Sequence, residues 1–218
     1  MKVIGINGSA RKGWNTHMLL EKALEGAASN GAQTQMVNLY DLNYRGCLGC
    51  LGCKRKGASE VGRCVINDDL RKVFDDIAEC DAFILGSPIY IGEVTGQMRA
   101  FYERLTFQYI SYDRDAPPPF DRKIKSAFIF TTNAPEAGYE QTGYTRLFAG
   151  YENMLGRMFG ESRTLAVGET LQTDDYSKYH MSRFDEADRR RIRDEVFPLQ
   201  CDKAFELGKW AAEEIIAG

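Results

Sequence analysis

Val3-Ile4-Gly5-Ile6-Asn7-Gly8-Ser9-Ala10-Arg11-Lys12-Gly13-Trp14-Asn15-Thr16 is an apolar run followed by a polar loop and the start of a helical pattern. Val3 to Ile6 reads as a buried strand, and His17 to Ala28 reads as an amphipathic stretch. A strand, a loop rich in Gly, Ser, Asn and Thr, and then a helix is an arrangement that binds phosphate. The helix N-terminus offers unpaired N–H groups and a partial positive charge. Ser9, Asn15 and Thr16 can add side-chain donors, and Arg11 can add a full charge.

Outward from this stretch the chain alternates. The first helix carries Met18, Leu19, Ala23 and Ala27 at helical spacing and stops at Asn30-Gly31. Thr34 to Leu39 reads as the second strand. Asn67-Asp68-Asp69 looks like a helix cap, with Leu70, Val73, Phe74 and Ile77 as the buried face behind it. Ala82-Phe83-Ile84-Leu85 is continuously apolar, as a central parallel strand requires. It ends at Gly86-Ser87-Pro88-Ile89-Tyr90-Ile91-Gly92. A helix is expected from about Thr95 to Phe107, followed by the Pro-rich loop Ala116-Pro117-Pro118-Pro119. Ser126 to Phe130 is the fourth strand and ends at Thr131-Thr132-Asn133-Ala134-Pro135. A helix from about Tyr144 to Phe159 leads to a fifth strand, Thr164 to Val167. From Phe184 the chain is helical, interrupted at Pro198, with Cys201, Phe205, Gly208, Ala212 and Ile215 as its apolar stripe.

Strands alternating with helices imply an α/β architecture, a parallel sheet covered on both faces. For five strands the doubly wound, flavodoxin-like order 2-1-3-4-5 follows. Ligands in such a sheet bind outside the carboxyl ends of the strands, near the switch between strands one and three. The three polar loops follow strands one, three and four, so they meet at one place.

The 218 residues suit one domain over 1–218, with a cysteine-rich insert at about 45–66 and a C-terminal helical extension. A net charge of −3 places the chain poorly for holding polyanions, so no nucleic-acid partner is expected. The local basic run Arg189-Arg190-Arg191 with Arg193 reads as a solvated helix face. No apolar run approaches a membrane span, and no basic segment followed by an apolar one opens the chain. No membrane association and a cytoplasmic location are therefore expected. The six cysteines then read as ligands, redox groups or core residues before structural disulfides.

Cys47, Cys50 and Cys53 are spaced C-x2-C-x2-C, with Gly46, Gly49 and Gly52 between and before them. Three such thiols with Cys64 as a fourth ligand suit a [4Fe–4S] cluster. Zinc is a second possibility, although its usual ligand pairs are separated differently. Reduced thiols or a disulfide pair are the alternative. Cys80 and Cys201 have apolar neighbours and read as core residues.

Gly8-Ser9-Ala10-Arg11-Lys12-Gly13 with Asn15-Thr16, then Gly86-Ser87-Pro88-Ile89-Tyr90, resembles the NADPH-dependent FMN reductase family of flavodoxin-like proteins. The resemblance covers most of the chain to about Val167. Within it, the cysteines resemble those of the iron-sulfur flavoproteins. One departure is that the family's last gap is about four to seven residues. Here ten residues separate Cys53 from Cys64.

The resemblance implies FMN, with its phosphate held by Ser9, Arg11, Asn15 and Thr16. Pro88, Ile89, Tyr90 and Ile91 would border the flavin ring, and Thr131, Thr132 and Asn133 would supply further donors or close its far side. It implies an oxidoreductase passing electrons through the flavin, from NAD(P)H or a ferredoxin-type donor, to a small acceptor such as a flavin or quinone. The cluster would serve as a relay. Such chemistry requires no catalytic acid or base, because the cofactor carries it. His17 is expected to make a local helix contact, and His180 lies in a polar loop without obvious partners. The long loops Gln108 to Arg122 and Leu171 to Arg183 read as dimer arms or as walls over a neighbour's flavin, so a homodimer or homotetramer is expected. Two other classes of reading stand beside this one. They are a non-enzymatic flavodoxin-like redox sensor and a zinc-stabilised binding module with an unrelated phosphate ligand.

Overall fold

Strand β1 (Lys2–Asn7) lies between β2 (Gln33–Asn38) and β3 (Ala82–Tyr90), and β5 (Lys125–Thr131) and β6 (Ser162–Val167) continue the sheet. The computed structural model describes residues 1–57 and 61–215; the middle of the cysteine-rich insert, 58–60, and the last three positions lie outside the described residues. The parallel order is β2-β1-β3-β5-β6, the expected flavodoxin-like arrangement. Gly5 pairs with Met36 on one side and Ile84 on the other, and Asn7 stands level with Gly86. The sequence reading lacked one strand. The short β4 (Glu93–Val94) turns back antiparallel on the end of β3, so Pro88, Ile89 and Tyr90 belong to a strand and not to a loop.

Side chains alternate across the sheet as the strand period dictates. Ile4, Ile6, Phe83, Leu85, Phe128 and Phe130 face α2 (Leu70–Glu79), α3 (Gly96–Tyr109) and α5 (Tyr144–Phe159). The short α4 (Tyr139–Thr142) precedes α5. Val3, Ala82, Ile84, Ala127 and Ile129 face α1 (Asn15–Ser29) and α7 (Phe197–Ala211). The α1–α7 contact is backbone against backbone. A Cβ built at Gly208 would overlap the Ala23 carbonyl oxygen, and one at Gly26 would overlap that of Phe205.

Two expectations about the second half need correction. Pro198 does not interrupt the C-terminal helix; it sits in the first turn of α7, where its missing N–H costs nothing. The irregularity comes earlier. α6 (Glu186–Arg191) runs into a π-helical turn, Ile192–Val196, and then into α7. Of the expected apolar stripe Gly208 and Ala212 are buried, while Cys201, Phe205 and Ile215 are half-buried; Ala204, Leu207, Trp210 and Ala211 complete the buried face. Among the described residues no helix is long and apolar enough to cross a membrane.

The largest fully buried side chain is a charged one. Arg104 of α3 is 1% exposed, and its Nη1 donates to Asp68 Oδ2 at 2.5 Å and to the Arg45 carbonyl at 3.1 Å. It ties both ends of the cysteine-rich insert to the core, and the sequence reading did not single it out. At the expected cap, Asp68 Oδ1 accepts the Leu70 N–H at 3.2 Å, while Asp69 makes no capping bond.

Candidate functional site

The end of β1 builds its own turn. Asn7 is fully buried and its Oδ1 accepts the Ser9 N–H at 3.0 Å; Ser9 Oγ then accepts the Arg11 N–H at 3.2 Å. Gly8 N–H donates to the Gly86 carbonyl at 2.8 Å, which joins the first loop to β3. Thr95, the N-cap of α3, donates to the Gly8 carbonyl at 2.7 Å, and its own N–H reaches Ser87 Oγ at 3.0 Å. Thr16 and Thr131 hydroxyls meet at 2.7 Å, so the first and third loops are joined as well.

These contacts form one cleft at the carboxyl ends of β1, β3 and β5. Its lining includes Ser9, Arg11, Asn15, Thr16, Pro88, Ile89, Tyr90, Thr131, Thr132 and Asn133. Helix α1 opens into it with Trp14 at the cap position and no side chain capping its first turn. The N–H groups of that turn are thus left to water or a ligand. The buried Asn133 Oδ1 and Gln172 Oε1 have no hydrogen-bond partner within the chain. Both residues line the cleft.

Ile91 does not join the cleft. It has a φ of +54° and is fully exposed at the tip between β3 and β4. With Gly92, also at positive φ, it makes the tight reversal that the missed hairpin demands, and this points its side chain away.

The sequence reading missed Trp14, Thr170, Leu171 and Gln172 as lining residues. Arg11 stacks 3.4 Å above the Trp14 ring and donates from Nη1 to the Gln172 carbonyl at 2.6 Å. Asn15 Nδ2 donates to the Leu171 carbonyl at 2.7 Å. The loop after β6, expected to reach over a neighbour, therefore begins as a wall of this chain's own cleft. His17 makes the expected local contact, its Nδ1 lying 3.2 Å from Glu21.

A larger hollow of about 580 Å³ lies between α3 and α5, lined by Tyr102, Leu147, Tyr151 and Met154 among others. Its charged groups already serve one another. Tyr151 donates to Glu93 at 2.6 Å and Arg99 pairs with Glu103 at 3.1 Å.

The four cysteines of the insert are all unbonded thiols. Among the described residues no group of three or more His, Cys, Asp or Glu is placed to hold a metal ion. Cys50 is exposed, Cys47 and Cys64 are half-buried, and Cys53 is buried by the 3₁₀ turn Gly52–Lys54. Burial pushes the Cys53 thiol up and lowers the neighbouring Lys54 ammonium, whose Nζ donates to the Phe107 and Gln108 carbonyls at 2.7 Å. Gln108 Oε1 holds the Cys64 N–H at 3.0 Å. Lys54 and Cys64 are thus fastened to the end of α3 while Cys50 faces solvent. Cys80 is buried as expected, and burial pushes its thiol up to about 12.

A sequence profile of the NADPH-dependent FMN reductase family matches residues 1–154. The chain belongs to that family. An iron-sulfur flavoprotein of Methanocaldococcus jannaschii is 40% identical over 104 residues, 48% of this chain and 51% of that one. The chain spans about half the length of the iron-sulfur flavoproteins it matches. A putative NAD(P)H-dependent FMN-containing oxidoreductase of Bacillus subtilis is 28% identical over 185 residues, covering 84% of this chain and 92% of that protein. In structure the chain is similar to an NAD(P)H:quinone oxidoreductase from Methanothermobacter marburgensis, with a TM-score of 0.70 at 17% identity over 96% of this chain and 98% of that one. At that identity the likeness speaks for the fold alone. The match places β1, β3, β5 and their loops within the family region and leaves β6, α6, the π-helical turn and α7 outside it.

Proposed function

We propose that the protein is an FMN-binding oxidoreductase that takes electrons from NAD(P)H and delivers them to a small planar acceptor. The observation that carries this reading is the convergence of three loops and the uncapped start of α1 on one cleft at the strand ends. The donor set fits the cofactor. Ser9, the first-turn N–H groups of α1, Thr16 and the Arg11 guanidinium form a phosphate cradle, in which each group donates and one is charged. Asn133 Oδ1 and Gln172 Oε1, buried and unpartnered, are acceptors for the ring N–H and the ribityl hydroxyls of a flavin. Pro88 and Ile89, held in a strand, give a stiff apolar border, and Tyr90 at its end is exposed beside it.

The cleft measures about 170 Å³. Enclosed small-molecule sites run to roughly 300–1,000 Å³. A flavin would therefore be only partly enclosed, which leaves room for a second planar molecule. Bound there, the flavin supplies the hydride and electron chemistry. The chain's own part is to bind the phosphate, orient the ring edge and leave one side open to reactants.

Relatives named iron-sulfur flavoproteins support a second route, in which a ferredoxin-type donor works through a cluster on Cys47, Cys50, Cys53 and Cys64. Among the described residues no three of these thiols are placed to hold a metal ion. Iron and acid-labile sulfide analysis of anaerobically purified protein separates the routes; about four irons per chain would favour the relay.

The phosphate cradle is tested by Arg11→Ala. Loss of one charge-assisted hydrogen bond is expected to weaken FMN binding by roughly 1.5–3 kcal/mol. Titration calorimetry with FMN measures it, and an unchanged Kd removes Arg11 from the phosphate.

A further inference from the structure

We propose that Arg193, on the π-helical turn outside the family-matched region, determines selectivity for a phosphorylated flavin over its unphosphorylated form. It does so as a positioning residue, through Asn15 and the loop after β6. The proposal rests on the reading of the cleft as an FMN site.

The geometry is a relay of three contacts. Arg193 Nη1 donates to Asn15 Oδ1 at 2.8 Å. Asn15 Nδ2 donates to the Leu171 carbonyl at 2.7 Å. The next carbonyl, that of Gln172, receives Arg11 Nη1 at 2.6 Å. An arginine has only donors, so Asn15 must turn its oxygen toward Arg193 and its amide nitrogen toward Leu171. The amide is thereby fixed in one orientation at the first residue of α1. The Asn15 side chain, expected from sequence as a phosphate donor, is held at its oxygen by Arg193 and through one Nδ2 hydrogen by the loop, which leaves the second Nδ2 hydrogen for a ligand. Arg11, the one full charge of the cradle, is held by the same loop.

The π-helical turn explains why this arginine can reach. Such a turn adds a residue to the helical round, and it is often found where a helix serves a site. Here it brings Arg193 to α1, with the guanidinium 4.3 Å above the Phe197 ring and Nη2 2.9 Å from Met18 Sδ. Arg189, one turn earlier, is buried and works on the third loop. Its Nη2 donates to the Asn133 carbonyl at 3.4 Å, and its Nη1 lies 3.7 Å from Glu169. Glu169 itself has a φ of +53°, a conformation a non-glycine residue holds only when its surroundings enforce it. The C-terminal segment thus fastens two walls of the cleft, and Arg193 fastens the one at the phosphate end. Its positive charge beside the start of α1 also adds to the field that favours an anion there.

The test compares FMN with riboflavin, which differ in the phosphate alone. Kd values for both are measured by flavin fluorescence with the wild-type chain, Arg193→Met and Arg193→Lys. Arg193→Met keeps an apolar stem against Phe197 and removes the donors. It is expected to raise the Kd for FMN by about tenfold and to leave that for riboflavin within about twofold, with Arg193→Lys recovering part of the loss. Should the Met variant not fold, the Lys variant alone carries the comparison. An unchanged FMN Kd overturns the proposal, and so does an equal loss for both flavins, which marks packing alone. If the wild-type chain does not distinguish FMN from riboflavin, the FMN reading and this proposal fail together; if it does and the variants match it, only this proposal fails.

Discussion

Replacing Arg104 by Met is expected to lower stability by about 3–5 kcal/mol, because it removes one partner of a buried ion pair and leaves the other uncompensated. Arg104 Nη1 pairs with Asp68, and the same guanidinium donates to the Arg45 and Ile66 carbonyls. The Met stem fills much of the arginine's volume, so little of the loss arises from a cavity. Most of it arises from Asp68, largely shielded and without its cation, and from two carbonyls deprived of a donor. Because Arg45 and Ile66 bracket the cysteine-rich insert, the insert should loosen before the sheet does. Urea unfolding followed by circular dichroism gives the first number, and limited proteolysis between residues 45 and 66 gives the second. A variant within about 0.5 kcal/mol of the wild-type chain, inside the range of ordinary surface changes, would contradict the role assigned to Arg104.

Two glycines in helices are expected to respond in opposite directions to the same substitution. At Gly150, exposed on α5, a Cβ meets nothing within 4 Å. Gly150→Ala should therefore stabilise by about 0.5–1 kcal/mol through helix propensity alone. At Gly208 the same gain is opposed by overlap with the Ala23 carbonyl oxygen, a backbone atom that cannot rotate away. Overpacking costs about 1–3 kcal/mol or more, so Gly208→Ala should destabilise by about 2 kcal/mol net. The separation forced on α7 also draws Arg193 from Asn15, so FMN affinity should fall with it. Thermal unfolding of the two variants side by side checks the sign; a stabilised Gly208→Ala protein would mean that α1 and α7 do not cross this closely.

The parts of the site legible in the sequence were those carried by side chains on strongly patterned elements. Ser9, Thr16, Pro88, Ile89 and Thr131 to Asn133 follow apolar runs whose strand character is plain, and the doubly wound order brings their ends together. Leu171 and Gln172 were invisible as site residues because they act largely through carbonyl oxygens, which every residue possesses. The strand β4 is two residues long and cannot display alternation, so Ile91 read as part of a ring-bordering loop instead of a hairpin tip. Arg193 sits in a run of arginines interleaved with acids, the pattern of a solvated face. What sets it apart is a π-helical turn, and periodicity counted at 3.6 residues passes over such a turn. Arg104 was missed because a lone arginine in a helix reads as solvent-facing, and only the return of residues 45 and 66–68 across α3 buries it. The C-x2-C-x2-C spacing was plain, but spacing fixes only neighbours along the chain. Cys64, near the far end of the insert, is held by Gln108, and Cys50 is exposed.

The most direct measurement is an absorption spectrum of the anaerobically purified protein, before and after saturation with FMN and then with NADPH added. A stoichiometric flavoprotein is expected, with bands at about 375 and 450 nm, the longer of which bleaches on addition of NADPH. A chain that stays colourless and takes up no FMN would contradict the FMN reading.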